Sequence, residues 1–479
     1  MPLPKQGSSL LFSNSFFIFI TRFFPSLASL LVIIWYSRNL SPDVYGNYQR
    51  FWIQLNVIYP LACFGIHVLI MTYSRGFILG LLQKINARQY GLYALWIAGL
   101  SGLFAVLEYQ SLGVNFVIPF LFMMAWAVGT IFESFLIVCR NYGSLTIINV
   151  LYAVAFCFIH WYVLQQGFSL PVLFTYLFVL VGLRLCIYAG ITIGDMKRGA
   201  GEANDDFELS SVRALWLHLG VYDVTQMLFN WVDKFIIALL LTASLSAVYY
   251  NGTQNIPFLP LLMSAAGSAV LIQLAGGKKT EETANIIAYM NGSGRLLSCI
   301  VFPIFFFLLF FRHQLIITLF TEKYAAAVPI FAVAILVLPL KSYSFTTVLQ
   351  RLHKGNIINI GSIADLVLAI GLMYPLYLWL GLPGVALSFV ITTYLQAGFY
   401  LFYSARLLRV SPLRLIPYVD WLIKFIVFAA VFITIHYAFE RYFTEKISLI
   451  LGIVVMAIAS LASLLIELNK QKKDGGISS

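Results

Sequence analysis

Charge is scarce in this sequence. Asp, Glu, Lys and Arg make up 10% of its 479 residues, against about 25% in a soluble protein. With 61% hydrophobic residues and a mean hydropathy of +0.89, that scarcity excludes a water-soluble globular chain. Cysteine is scarce too. The five (Cys63, Cys139, Cys157, Cys186 and Cys299) are odd in number, lie in apolar stretches and never take a CxxC spacing. A disulfide framework and a thiolate metal site are both excluded, and the five read as buried thiols. The first ten residues, "MPLPKQGSSL", hold one Lys and no convincing small-residue cleavage site, so no secretory leader is expected.

What is abundant is the long apolar run. A spanning helix needs about 20 mainly apolar residues. Fourteen spans are expected, at roughly 11–35, 48–71, 90–107, 115–139, 145–165, 170–194, 214–240, 247–273, 296–311, 327–349, 356–379, 384–405, 417–438 and 447–467. The basic residues test that count. With the N-terminus inside, 19 of the 30 Lys and Arg fall on inside segments, 5 on outside loops and 6 within or at the edge of spans. Cytoplasmic loops carry the excess of positive charge, so both termini are expected in the cytoplasm. The net charge of +11 is then a topology signal and no argument for nucleic-acid binding.

The longest hydrophilic stretch, "DMKRGAGEANDDFELSSVR" (195–213), reads as a cytoplasmic linker. It separates an N-lobe of six spans (1–194) from a C-lobe of six (214–405), and 406–479 adds two spans and a cytoplasmic tail. Residues 38–70 align loosely with 239–272 at an offset of about 201, with Leu40 on Leu241, Ser41 on Thr242 and Tyr48 on Tyr249. A duplicated six-span unit returns the chain to the same side. Two such units are therefore expected to be related by a pseudo-twofold along the membrane normal, with a cleft between them.

The segment "NWVDKFIIALLL" (230–241) places a charged pair against an apolar run. A charge at the bilayer centre costs about 2.5–3.5 kcal/mol on insertion scales, so intramembrane charges face a bundle interior or a wet cavity. Asp223, Gln226, Asn230 and Lys234 recur at steps of three and four and share one helix face, with Asp233 beside it. The first span carries Ser15, Arg22, Ser26 and Ser29 in a similar stripe; the second begins with Asn47, Arg50 and Gln54, the eighth with Asn251 and Gln254. Lys341 and Asp365 are weaker signals that would pair with each other, as are Glu133 and Arg184 near spans four and six. Asp420 and Lys424, one turn apart, read as a local ion pair.

Several stretches together resemble one family. "RNLSPDVYGNY" (38–48), "NWVDKFIIALLLTASLSAVYYNGTQNI" (230–256), "LFTEKYAAAVPIFAVAIL" (319–336), "VLQRLHKGN" (348–356) and "YPLYLWLGLPGVALSFVITTYL" (374–395) are similar, in order and spacing, to the polysaccharide and O-antigen flippases. These are the lipid-linked oligosaccharide branch of the multidrug/oligosaccharidyl-lipid/polysaccharide (MOP) exporter superfamily. Each motif is loose, and two glycines usual in the family are replaced here, by Ala247 and Thr321. The resemblance implies an all-α membrane protein of two six-helix lobes, like the drug/cation (MATE) exporters. It implies transfer of an undecaprenyl-diphosphate-linked oligosaccharide from the cytoplasmic to the periplasmic leaflet of a bacterial inner membrane, for O-antigen, lipopolysaccharide or capsule assembly. Asp233 and Lys234 match the family's charged pair.

On that expectation Arg22, Arg50 and Lys234 meet the diphosphate, and Gln226, Asn230, Asn251 and Gln254 meet sugar hydroxyls. Asp223, Asp233, Lys341 and Asp365 are the charge-pair or coupling candidates, for a proton or sodium gradient. Pro25, Pro60, Pro257 and Pro260 would let helices bend. No cofactor or metal is expected; membrane lipid and polysaccharide polymerase or assembly machinery are the expected partners. A MATE-type antiporter should carry an acidic, aromatic cavity for cations, and the candidate charges here lean basic. A membrane-embedded polymerase needs catalytic groups on a large outside loop, and the outside loops here are short with no cluster of His, Asp or Glu.

Overall fold

A computed structural model of the chain describes residues 6–112, 115–199, 201, 207–254, 283–352 and 354–473. Among them there is no strand, only helix and its connections. Two compact units divide at Ala247 and Val248.

The first unit holds α1 (Gln6–Asn39), α2 (Pro42–Cys63), α3 (Ile66–Thr72), α4 (Arg75–Lys84), α5 (Ala87–Leu112), α6 (Val117–Val138), α7 (Tyr142–Gln165), α8 (Leu170–Arg198) and α9 (Leu209–Leu240). α10 (Ala243–Gly252) begins in it. The second holds α11 (Thr283–Phe310), α12 (Arg312–Phe320), α13 (Ala327–Ala334), a 3-10 segment Ile335–Ser342, α14 (Thr347–Arg351), α15 (Gly355–Leu380), α16 (Leu382–Leu408), α17 (Pro412–Leu415), α18 (Tyr418–Tyr442) and α19 (Glu445–Lys473).

Among the described residues nine helices are long and apolar enough to cross a membrane, and ten if α2 and α3 count as one broken span. The nine coincide with the third to sixth, ninth and eleventh to fourteenth expected spans. The ninth is longer than its sequence suggested, because α11 starts at Thr283. The first and seventh correspond to α1 and α9, of 34 and 32 residues. The tenth is short, α13 running into the 3-10 segment around Pro339. The eighth, with Pro257 and Pro260, lies mostly outside the described residues, so the count of fourteen is not fixed by the structure. The expected linker is shorter than 195–213: α8 runs to Arg198 and α9 starts at Leu209.

α2 shows how the sequence builds these helices. Ser41 caps it by accepting the Val44 N–H at 3.4 Å, Pro42 opens the first turn, and Asp43 lies at the positive end of the helix dipole. It ends where Phe64 and Gly65 both take left-handed backbone (φ 41° and 71°), and α3 leaves at 57°. A break at membrane depth strips carbonyls of their helical partners, which lipid cannot replace. Side chains replace them here: Trp216 Nε1 donates to Phe64 O at 2.8 Å, Tyr93 OH to Cys63 O at 2.9 Å, and Trp96 Nε1 to Leu61 O at 3.0 Å. α9 also approaches closely, since a Cβ on Gly65 would strike Gly220 and one on Gly220 would strike Phe64.

α1 packs on α7 through a satisfied core histidine. His160 Nδ1 donates to Phe156 O at 2.7 Å, so its Nε2 accepts from Tyr48 OH at 3.1 Å, while Tyr36 OH donates to His160 O at 3.1 Å.

In the second unit α15 and α16 form a tight antiparallel hairpin at the expected "LGLPGV" turn. Gly381 has φ 66°, and a Cβ on Gly384 would overlap the Leu376 backbone. Asp420 and Lys424 do not form the local pair that their spacing suggested. Asp420 bonds Arg295 at 3.1 Å and Lys470 at 3.4 Å, while Lys424 bonds Glu467 at 3.0 Å. The buried Glu467, 4% exposed, presents the stronger field to Lys424. These charges tie α18 and α19 to α11.

Candidate functional site

A cavity of about 480 Å³ lies inside the first unit, walled by α1, α2, α3, α6, α7 and α8. α1 contributes Thr21, Ser26 and Ser29 to it, the last two being members of the expected polar stripe. At its wall stands Arg184, in an otherwise apolar turn of α8. A charged residue at membrane depth pairs with another group or faces a wet cavity, and Arg184 does both. Its Nη2 donates to Glu133 Oε2 on α6 and to Asn149 Oδ1 on α7, both at 2.9 Å, and its Nε donates to Tyr188 OH at 3.0 Å. Tyr188 OH in turn donates to Asn149 Oδ1 at 2.7 Å, and Asn149 Nδ2 donates to Thr21 O at 3.0 Å, tying α7 to α1. The guanidinium lies 4.6 Å from the Tyr152 ring centre and 5.0 Å from that of Tyr188. Its Nη1 makes no hydrogen bond among the described residues.

Aromatic faces complete the wall. Trp52 of α2 and Trp126 of α6 line the cavity with ring centres 5.9 Å apart, and Tyr59 lines it as well. The cavity thus offers a guanidinium edge with two unused N–H groups, several hydroxyls and flat rings. This is a donor set for a ligand rich in oxygen, with ring faces for the C–H faces of sugars.

Glu133 and Arg184 stood out in the sequence only as weak signals, because 51 residues separate them and neither has a charged neighbour. Asn149, Tyr152 and Tyr188 were not singled out at all. Their one sequence signal is a polar or phenolic residue at helical spacing inside an apolar run, which packing residues share.

The other sequence candidates are placed as follows. Arg22 lies on α1, with its side chain outside the described set. Arg50 is half-buried, and its Nη2 donates to Leu241 O, the carbonyl just past the end of α9. Lys234 is buried at 9% exposure; its ammonium lies 3.3 Å from both Asp233 oxygens and 3.2 Å from Asn230 O. Asn230, exposed, donates to Gln226 O at 2.7 Å. Asp223 lies 3.7 Å from His67 Nε2. Arg50, Asp223 and Lys234 are therefore each engaged locally within the first unit. Asn251, fully buried, and Gln254, half-buried, belong to the second unit. So do Lys341, exposed on the 3-10 segment, and Asp365, buried on α15 beside Thr392 of α16. Among the described residues no ion pair joins Lys341 to Asp365.

One acid went unnoticed in the sequence. Glu108, just past the third expected span, is fully buried on α5.

Comparison with known proteins completes the description. Residues 208–329 match the family model described as polysaccharide biosynthesis protein. Among solved structures, the lipid II flippase MurJ in an inward closed conformation superposes with a TM-score of 0.66 at 15% identity, over 95% of this chain and 98% of that one. A multidrug resistance MATE family transporter of the MOP superfamily, in an inward-facing conformation, superposes with a TM-score of 0.56 at 15% identity, over 80% of this chain and 94% of that one. Curated protein sequences give no match. The chain thus has the fold of the multidrug/oligosaccharidyl-lipid/polysaccharide exporters, and over residues 208–329 it matches the polysaccharide biosynthesis family.

Proposed function

We propose that this protein is a flippase for a lipid-linked glycan, and that its substrate is an undecaprenyl-diphosphate-linked oligosaccharide bound for O-antigen, capsule or exopolysaccharide assembly. On this reading it works by alternating access in a bacterial inner membrane, with both termini in the cytoplasm. The physical problem is the headgroup. Its hydroxyls and diphosphate cannot cross hydrocarbon without losing hydrogen bonds, at several kcal/mol each. The prenyl tail has no such difficulty and stays in lipid. A protein that moves the head must replace water around it.

The observation that carries the reading is the Arg184 cavity: a largely buried guanidinium with two N–H groups unbonded among the described residues, set among hydroxyls and aromatic rings. Nη1 of Arg184 would donate to a diphosphate or sugar oxygen, Ser26, Ser29 and Thr130 would bond sugar hydroxyls, and Trp52 and Trp126 would stack on sugar rings. Arg22, Arg50, Lys234, Gln226, Asn230, Asn251 and Gln254 remain the proposed contacts elsewhere on the path. Asp223, Asp233, Lys341 and Asp365 remain the coupling candidates, for H+ or Na+. A MATE-type drug antiporter is the less favoured reading, because Glu133, the acid in this cavity, is already neutralised by Arg184. A polymerase reading has no support from the described residues.

The test is translocation in liposomes. Purified protein should move a fluorescent polyprenyl-diphosphate-linked oligosaccharide between leaflets, read by quenching from outside. It should not move a cationic dye. Dye transport with no glycolipid transport would make the antiporter the correct reading.

A further inference from the structure

Glu108 has no role in the proposed function, and its surroundings are unusual. It is fully buried on α5, and neither carboxyl oxygen has a hydrogen-bond partner among the described residues. An ionised carboxylate in that position would be costly to bury.

The packing of α5 on α2 shows what faces it. The two helices run antiparallel, as Tyr93 on Cys63, Trp96 on Leu61 and the Phe104 ring 5.2 Å from Phe51 all require. That register brings Glu108 opposite the turn of α2 that carries Asn47 to Arg50. Arg50 on that turn is the charged group whose field acts on Glu108, with the phenols of Tyr45 and Tyr48 on the same helix. α6, also packed on α5, carries one titratable residue, Glu133, far along the helix in its pair with Arg184. Arg50 does not bond Glu108 here. Its Nη2 donates to Leu241 O, while its buried Nε has no hydrogen-bond partner among the described residues. One turn before Arg50, a Cβ on Gly46 would overlap the Ala243 backbone, so this face of α2 lies directly on the joint between α9 and α10. Gln49, fully buried beside Arg50, has neither amide atom hydrogen-bonded among the described residues.

We infer that Glu108 is a proton-binding site whose occupancy decides which partner Arg50 takes. With the proton on Glu108, the carboxyl is neutral and Arg50 stays on the Leu241 carbonyl, as seen here. When the proton leaves for water, the new carboxylate accepts the Arg50 guanidinium, and the Leu241 carbonyl is left to solvent. The joint between α9 and α10, through which the chain passes to Val248 and the second unit, is then released from α2. Losing a charged hydrogen bond makes local opening of the joint about tenfold more frequent.

Amide hydrogen exchange on the full-length protein in lipid nanodiscs tests this. Peptides covering 238–246 are followed from pH 5 to pH 9 in the wild type and in Glu108→Gln, which holds a neutral side chain at every pH. The ratio of the two at each pH removes the intrinsic pH dependence of exchange. The ratio should rise about tenfold across the range, and Arg50→Ala should be fast throughout. Asp195→Asn, which alters a different carboxyl of the same unit, on α8, should behave as wild type. A flat ratio overturns the inference, as does a rise abolished equally by Asp195→Asn. Unchanged melting temperature of Glu108→Gln in the nanodisc shows that it is folded. No substrate enters the experiment, so its outcome is independent of whether the flippase reading holds.

Discussion

Arg184 of α8 and Glu133 of α6 meet at 2.9 Å inside the first unit, each with about a fifth of its side chain exposed. The pair is a partner for Asn149 and Tyr188 and the wall of a cavity at once. Removing one member leaves the other charge buried and alone. Arg184→Met should destabilise the protein by about 3–5 kcal/mol. Adding Glu133→Gln should recover most of that loss, because no unpaired charge then remains. Chemical denaturation of the purified variants in detergent gives the comparison.

A second prediction concerns the charges that tie the last two helices to α11. Lys424 and Glu467 are buried, with 15% and 5% of their side chains exposed. Glu467→Gln should cost about 3–5 kcal/mol. Asp420→Asn should cost about 0–1 kcal/mol, since its partners Arg295 and Lys470 are 31% and 52% exposed. Equal losses in the two variants would show that burial does not set the strength of these pairs.

Gly46→Ala forces a Cβ into the Ala243 backbone and should cost about 1–3 kcal/mol by overpacking. Gly99→Ala on α5 meets nothing within 4 Å and should stabilise the helix, by about 0.5–1 kcal/mol. Thermal melting of the two variants side by side checks the difference in sign.

Topology is open to direct measurement. Reporter fusions at both ends, and at the loops near Arg140 and Arg351, should be active only in the cytoplasm, because basic residues concentrate on those segments. A periplasmic reporter active at either terminus would invert the assignment.

Much of the fold was legible in the sequence because lipid imposes one rule, about 20 apolar residues per crossing. α5 to α8, α15, α16, α18 and α19 fall where the apolar runs place them. The break after Cys63 was not legible. Pro60 hinted at a bend, but the bend itself depends on Trp216, Tyr93 and Trp96 arriving from other helices to bond the freed carbonyls. The candidate site was legible in part. Helical spacing marked the α1 stripe, and charge within apolar runs marked Arg184 and Glu133 weakly, but which charges meet is a matter of tertiary packing. The same limit explains Asp420 and Lys424, where an i,i+4 spacing worth a few tenths of a kcal/mol yields to partners on other helices.

The central claim is that Arg184 receives an anionic, oxygen-rich headgroup, and the sign of two affinity changes tests it most directly. Binding of a polyprenyl-diphosphate-linked oligosaccharide to the purified protein is measured for wild type, Glu133→Gln and the Arg184→Met, Glu133→Gln pair. Removing the competing carboxylate should tighten binding in Glu133→Gln. The paired variant should bind about tenfold or more weakly than wild type, while the same glycan on a neutral lipid changes less. Wild-type affinity in both variants would contradict the account.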